Sequence, residues 1–399
     1  MTRAVVSLNA GSSSIKFALF TLGPDGPEHA AAGKLEGIGI APHLVARGAD
    51  GTVLIDQDWD NGARLTHEAL LRELFGWASQ HLPEHEIVAI GHRVVHGGMS
   101  FARPLLVDDA LLEALDLLCP LAPLHQPHNL AAIRAIRTLA PALPQVACFD
   151  TAFHHDRTDV AMRFALPRAL HDKGIRRYGF HGLSYDYIAR TLRETDPELA
   201  RGRVIVAHLG NGASLCAMHD GKSVDTTMGF TALDGLMMGT RCGDIDPGVL
   251  LHLQMQEGMS AANVETLLYK QSGLLGVSGV SSDMRALHQS PDPHAAEAID
   301  LFAWRAAREA GALISSLGGI DGIIFTAGIG ENDPIIRASI CERLAWTGLI
   351  IDGESNARNA PIISRSDSRI IARVIPTDEE RMIAVLSLGV VRPAAGVSQ

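Results

Sequence analysis

In this chain of 399 residues, the residues suited to chemistry are of two kinds: glycines in turns, and charged or amide side chains at strand ends. Residues 204–218, VIVAHLGNGASLCAM, open as a buried strand and pass through Leu209-Gly210-Asn211-Gly212-Ala213-Ser214. They leave as a second strand that Asp220-Gly221 turns back. Without Cβ atoms, Gly210 and Gly212 admit positive φ and let a ligand approach the main chain. Successive amide N–H groups in such a turn form a concave nest suited to phosphate. An ordinary hairpin turn is the alternative. Residues 5–19, VVSLNAGSSSIKFAL, repeat the design around Asn9-Ala10-Gly11-Ser12-Ser13-Ser14. A repeat of so long a period signals duplication, and so two related domains facing each other across a nucleotide cleft.

Asn9, Asp150 and Glu379 each fall after or inside a strand terminus. Oxygens delivered this way suit Mg2+, which takes few protein ligands and keeps waters and nucleotide phosphates; solvated turn residues are the alternative. Arg93 lies in an apolar strand beside Val94 and Val95. Such an arginine needs an anion, either a carboxylate of the protein or a bound carboxylate or phosphate. Arg241, in MGTRCGDIDP, is held by a glycine-flanked loop that can aim a guanidinium at developing phosphoryl charge. His181, between Phe180 and Gly182, is a candidate donor, or else a packed histidine.

The elements that must position these residues alternate in type, which predicts an α/β protein. Strands are expected to about residue 54, then at 87–95, 146–149, 320–326 and 370–375. Helices are expected at 63–82, 108–118, 128–139, 168–173, 185–193, 249–256, 261–269 and 295–317, and from Arg381 onward. Residues 230–248 and 327–333 read as loops, with Asp333 capping a helix that starts at Pro334. The length fits two domains of about 100–200 residues each. With 47% hydrophobic and 20% charged residues there is ample core, and a net charge of −11 with no basic stripe argues against nucleic acid. Five scattered cysteines without a C-x-x-C pair point to a reduced, cytoplasmic setting. No secretory segment or membrane span is expected.

Three local matches fail. Gly221-Lys222-Ser223 ends like a P-loop, but Cys216 stands where the first glycine belongs and the flanks read as hairpin strands. Gly328-Ile329-Gly330 starts a dinucleotide fingerprint that Asp333 breaks. His81-Leu82-Pro83-Glu84-His85 has metalloprotease spacing, but Pro83 interrupts the helix it needs.

Taken in order, NAGSSS (9–14), GHRVVHGG (91–98), APLH (122–125), FDTAFH (149–154), GFHG (179–182), HLGNG (208–212), 238–247 and 325–332 resemble the acetate kinases. The likeness runs from Ser7 to the helix after Glu380. Each motif alone is weak, whereas the ordered set is specific. The resemblance implies two duplicated actin-like ATPase (ribonuclease H-like) domains. Residues 1–150, completed by a C-terminal helix at about 381–399, form one, and residues 151–380 the other. It also implies ATP and ADP as co-substrates, Mg2+ (Mn2+ as the alternative ion), acetate, acetyl phosphate and a homodimer, with no nucleic-acid or membrane partner.

By the same resemblance, Asn9 and Glu379 hold the metal, and Lys16, Ser12 and Ser14 meet nucleotide phosphate. His208, Leu209, Gly210, Asn211 and Gly212, with Asp283, Met284, Arg285, Gly328, Ile329, Gly330, Glu331 and Asn332, form the ATP site. Arg93 pairs with the substrate carboxylate, against a methyl pocket of Val95, Leu124, Phe180 and Ala232. His181 and Arg241 stabilise the transition state, and Asp150 is the assigned acid/base residue. Acetate is already ionised, so Asp150 reads better as an orienter of arginine or of metal-bound water. Leu183 and Tyr185 stand where threonine and histidine are usual, Ala232 where proline is frequent, and Asp378 where asparagine is common. The expected activity is reversible, direct in-line phosphorylation of acetate. The alternatives are a propionate or other short-chain acyl kinase, or a nucleotide-driven binding module without turnover.

Overall fold

The computed structural model describes residues 1–59, 65–81, 85–123 and 125–391. They divide into two compact units, Met1–Ala152 with the segment from Asp378 onward, and Phe153–Thr377.

The first unit is built on an eight-stranded sheet in the order β5-β4-β3-β2-β1-β6-β8-β7. Strands β1 (Thr2–Ala10), β2 (Ile15–Gly23), β3 (Gly26–Glu36), β4 (His43–Gly48) and β5 (Val53–Asp58) form an antiparallel meander. Strands β6 (His85–Val94) and β8 (Gln145–Phe149) run parallel to β1, with the short β7 (Leu105–Leu106) at the edge. All five residues of β8 are buried, as a strand covered on both faces requires. One face carries α1 (His67–His81), α2 (Asp109–Asp116) and α3 (Gln126–Leu139). There Leu70, Leu74, Ala132 and Ile136 pack on Leu8, Ile15 and Ile90. The other face carries α15 (Glu379–Val391), whose Ala384 packs with Val5, Phe20 and Ala89.

The second unit repeats the scheme. Its sheet, β11-β10-β9-β12-β13, comprises β9 (Arg203–Leu209), β10 (Ala213–His219), β11 (Lys222–Thr226), β12 (Gly322–Thr326) and β13 (Ile371–Val374). The first three are antiparallel, and β12 and β13 run parallel to β9. This is the order and direction of β3-β2-β1-β6-β8 in the first unit, and in both the glycine turn follows the first strand. The protein is thus a duplicated α/β chain of actin-like ATPase type.

Before the sheet come α4 (Arg168–Asp172), α5 (Gly182–Thr195) and α6 (Pro197–Arg201). Helices α7 (Pro247–Met255), α8 (Ala261–Lys270), α9 (Gly273–Ser278), α10 (Met284–Gln289) and α11 (Pro293–Leu317) lie between β11 and β12. The alanines of α11 at 295, 298, 303, 306, 307 and 310 are buried, a small-residue stripe that lets the helix lie close to its neighbours. After β12 come α12 (Ala327–Asn332), α13 (Pro334–Arg343) and α14 (Gly353–Ala357).

Three expectations need correction. Residues 327–333 contain a short helix, α12, because Glu331 folds back onto its first amide. Helix α5 begins at Gly182 rather than 185, and Glu379 opens α15 rather than ending a strand. The short α6, α9, α10 and α14 lack a periodic face long enough to read. Residues 82–84 of the zinc-like match lie outside the described residues. Among the described residues, no helix is long and apolar enough to cross a membrane.

Gly91 on β6 faces α15, where an added Cβ would lie 2.2 Å from Ser387 Oγ and 2.4 Å from Ile383 Cγ2. Gly91→Ala is therefore expected to destabilise the first unit by about 1–3 kcal/mol through overpacking. Urea unfolding followed by circular dichroism measures this, and an unchanged midpoint would contradict it.

Candidate active site

In the first unit, parallel neighbours bring three side chains to one sheet edge. Register pairs Leu8 with His92 and Val94 with Phe149, so Asn9, Arg93 and Asp150 come together at the carboxyl ends of β1, β6 and β8. Arg93 Nε donates to both Asp150 oxygens at 3.0 and 3.1 Å, Nη2 donates to Oδ2 at 2.5 Å, and Nη1 donates to Asn9 Oδ1 at 3.2 Å. The Asp150 side chain is 2% exposed and that of Arg93 19%. Burial pulls the Arg93 guanidinium down, but Asp150, Glu379 and Glu380 outweigh it and hold Arg93 above its ordinary value. A guanidinium has five N–H groups, so Nη1 and Nη2 each keep a second donor for an incoming anion.

The adjoining turn is pinned by its carbonyls. Gly11 N donates to Ser14 O at 2.8 Å, Asn129 Nδ2 to Ala10 O at 2.7 Å and His67 Nε2 to Gly11 O at 2.8 Å. Asn129 Oδ1 also accepts from Val95 N at 3.1 Å. Sequence reasoning passed over Asn129 and His67, since each sits in an unremarked helical turn. Lys16 is exposed opposite Asn9 in the β1–β2 register, and Ser12 is exposed at the turn. The Val95 side chain is buried, and Leu124 lies outside the described residues.

The donor set of this unit fits Mg2+. Asn9 and Glu379 offer only hard oxygens, the kind of ligand the ion takes. Burial and then the neighbouring Glu379 push the Glu380 carboxyl up, although Lys16 pulls the other way. Among the described residues no three His, Cys, Asp or Glu side chains cluster to hold a metal. A Mg2+ ion here would depend on these two residues, water and nucleotide phosphates.

In the second unit, the β9–β10 turn is closed by Gly210 N donating to Gly212 O at 3.1 Å. Asn211 O accepts from Gly239 N at 3.0 Å, which brings the Arg241 loop alongside. A Cβ on Gly212 would sit 2.9 Å from Arg241 Nη2 and 3.4 Å from His181 Nε2, so the guanidinium and the imidazole converge there. Arg241 Nη1 donates to the carbonyl of Ala232 at 2.5 Å. Gly273, at φ +63°, supports the loop, because a Cβ would lie 2.1 Å from Met238 O.

His181 takes the left-handed conformation, φ 59°, immediately before α5. Non-glycine residues rarely do so, and such strain concentrates at functional sites. Its ring stacks on His208 at 4.2 Å and its Nδ1 lies 2.8 Å from Ser214 Oγ. The Phe180 ring is buried in the second unit, and its carbonyl accepts from His154 Nε2 at 2.9 Å.

Two further groups of expected nucleotide residues, 283–285 and 328–332, are flanked by His288 and Asp333, whose Nε2 and Oδ2 lie 2.8 Å apart. Asp283 caps α10 through Arg285 N and Ala286 N and pairs with the exposed Arg285 at 3.0 Å, while the Met284 side chain is buried. In the other group, Glu331 Oε1 accepts from Ala327 N at 2.7 Å and Thr377 N at 3.0 Å, so this carboxylate is engaged in holding the loop. Gly328 and Asn332 are exposed and linked by Asn332 Nδ2 donating to Gly328 O at 2.9 Å; Ile329 is half-buried and Gly330 buried. The fully buried Arg337, which sequence reasoning missed, donates to the carbonyls of Gly330 and Glu331, both at 2.9 Å. Lying in an otherwise apolar stretch of α13, it resembles Arg93 in sequence setting, and that was the available signal.

A glycine turn after the first strand of each repeated sheet, with guanidinium and imidazole groups converging on one of them, is the frame of a phosphoryl-transferring kinase. The chain belongs to the acetokinase family, whose model matches residues 4–385. A protein named acetate kinase from Rhodopseudomonas palustris is 51% identical over 389 residues, 96% of this chain and 97% of that protein. A propionate kinase structure from Francisella tularensis superposes with a TM-score of 0.91 at 38% identity, covering 97% of this chain and 100% of that one. An acetate kinase structure from Porphyromonas gingivalis gives 0.88 at 36% identity, covering 98% and 100%. The chain is therefore a phosphotransferase with a carboxyl acceptor, of the acetate kinase type.

The frame also carries buried neutral histidines. Burial pushes His92 down to about 4, and burial with the nearby Arg157 pushes His154 down to about 3, from 6.5. The unfolded chain thus takes up these protons first. The stability they contribute is fully present above pH 6.5 and is lost as pH falls towards 4, by up to ~1.4 kcal/mol per pH unit for each group. Urea midpoints at pH 7 and pH 5 are expected to show this loss, and equal midpoints would contradict it.

Proposed function

We propose that the protein catalyses the reversible transfer of the γ-phosphoryl group of Mg-ATP to acetate, giving ADP and acetyl phosphate. The observation that carries this is Arg93, a guanidinium locked on Asp150 and Asn9 with two N–H groups left over. A carboxylate fits those donors bidentately. In the transfer, an acetate oxygen forms the new bond to phosphorus as the bond to the ADP oxygen breaks. Carboxylates are ionised at neutral pH, so positioning and charge neutralisation are what the protein must supply.

Arg93 orients acetate, and Arg241 and His181 donate to the equatorial oxygens of the migrating group. The turns at 9–14 and 208–212 offer amides to the nucleotide phosphates, with Lys16 beside the first. Gly328–Asn332 and Asp283–Arg285 flank the nucleoside. Asn9 and Glu379 would hold Mg2+, which supplies charge neutralisation of the β- and γ-phosphates. Both Asp150 oxygens accept from Arg93, which supports a role in aiming that arginine rather than in proton transfer. The same reading extends to a cytoplasmic homodimer. Its support is the five free cysteines and the exposed Leu251, Met255 and Trp304 on the second unit.

Propionate is the second reading, favoured by the likeness to the Francisella propionate kinase and by the small side chain of Ala232. One methylene discriminates by only about 1–3 kcal/mol in an apolar pocket. Hydroxylamine trapping of acyl phosphate with Mg-ATP and acetate, propionate or butyrate tests both readings. Acetate is expected to give the highest kcat/KM. No hydroxamate from any acid, with ATP still bound, would leave a nucleotide-driven binding module.

Arg93→Lys, which loses the fork, is expected to raise the acetate KM about 10–100-fold while leaving the ATP KM nearly unchanged. Asp150→Asn is expected to keep kcat within about tenfold, since general acid–base catalysis contributes about 100–10,000-fold where it operates. A larger loss of kcat would restore the acid/base role.

A further inference from the structure

Ser214 Oγ in the second unit lies between two partners. His181 Nδ1 is 2.8 Å away and the Tyr185 hydroxyl 2.5 Å. The main chain prepares this contact. Tyr185 is one helical turn beyond His181, and its amide donates to the His181 carbonyl at 3.1 Å. Ser214 on β10 pairs in register with His208 on β9, whose ring stacks against His181. Ser214 and Tyr185 are both completely buried.

A serine hydroxyl has a single proton to give. A phenol is the stronger acid of the two hydroxyls, so Tyr185 donates to Ser214 Oγ, and Ser214 donates onward to His181 Nδ1. The ring then carries its proton on Nε2, the atom that converges with Arg241 Nη2 on Gly212. The bond made by one ring nitrogen sets what the other can do. We propose that Tyr185 and Ser214 are positioning residues that fix His181 as an Nε2–H donor towards the transferring phosphoryl group. This rests on the reading above in which His181 stabilises that group.

The two hydroxyls touch His181 rather than substrate in this proposal, so their removal is expected to weaken an interaction made in the transition state and to leave substrate binding intact. Ser214→Ala is expected to lower kcat about 10–100-fold, by analogy with the loss of the partner that orients a metal-ligating imidazole, with KM values changed less than about twofold. Tyr185→Phe, which deletes one oxygen, is expected to lower kcat about 3–10-fold in the same pattern. In a His181→Ala background, Ser214→Ala is expected to have no further effect, because coupled residues are not additive. Nitrogen-15 shifts of the His181 ring should report Nε2–H in the parent and a tautomer mixture in Ser214→Ala.

Unchanged kcat in both hydroxyl variants with an impaired His181→Ala would overturn the relay and leave the function standing. A full Ser214→Ala effect in the His181→Ala background would do the same. A fully active His181→Ala would overturn both the relay and the catalytic role of His181. Should Ser214→Ala fold poorly, Tyr185→Phe and the ring shifts decide.

Discussion

The arginine at the end of β6 is the constraint on which the first unit's site depends. A guanidinium cannot shed its charge to escape burial, so the chain must bring acceptors to it, an anion among them. It does so through strand register. Because β1, β6 and β8 run parallel, their carboxyl ends share one edge, and Asn9 and Asp150 arrive beside Arg93 without any loop having to search for them. The Nε edge and one N–H of each Nη group are occupied, which fixes the plane of the fork and the direction of the remaining donors. A single aspartate thus turns a destabilising buried charge into an oriented receptor.

The second unit uses the same sheet for a different task. Its glycine turn follows β9 as the first turn follows β1, but here side chains from two other segments lean over it. Glycine at 212 lets the ends of the Arg241 and His181 side chains stand close over the turn, where a Cβ would push the guanidinium aside. Close approach, rather than turn geometry alone, is what the missing Cβ provides. The loop bearing Arg241 is tied to the turn by Gly239 N and Asn211 O and to its own flank through Ala232 O, so the guanidinium is anchored at both ends.

How much of this was legible in the sequence varied with the range of the interaction. Both hairpins could be read from local pattern, because alternating strands and Gly-Asn or Gly-Ser turns are short-range signals. The need of Arg93 for an anion followed from its apolar neighbours, but the identity of the partner did not, since Asp150 is 57 positions away. Asn129, His67 and Arg337 pin site loops by carbonyl contacts whose partners lie on other elements; nothing local marks the first two, and the apolar neighbours of Arg337 show its need of partners but not which ones. Tyr185 stood out as a departure from the usual histidine yet had no assigned role, because its partner Ser214 belongs to the next hairpin. The helix at 327–332 is hidden in the sequence for a similar reason: Glu331 accepts from Ala327 N and Thr377 N, and the second of these is 46 positions away.

The net charge of −11 and a site for anionic substrates are compatible because the relevant field is local. Arg93, Arg241, Lys16 and His181 all stand beside glycine turns, and each is held by what its chemistry demands. The arginine near the sheet edge is always charged, so its partner is a carboxylate. The imidazole must present one chosen nitrogen, so its partner is a neutral hydroxyl that sets the tautomer without adding charge. A carboxylate at Ser214 would favour the imidazolium and place a negative charge close to where the proposed reading has the phosphoryl oxygens. A hydroxyl relay orients the ring and leaves the field positive. The difference between the two supports follows from the difference between a group that is always charged and one that is proposed to act as a neutral donor.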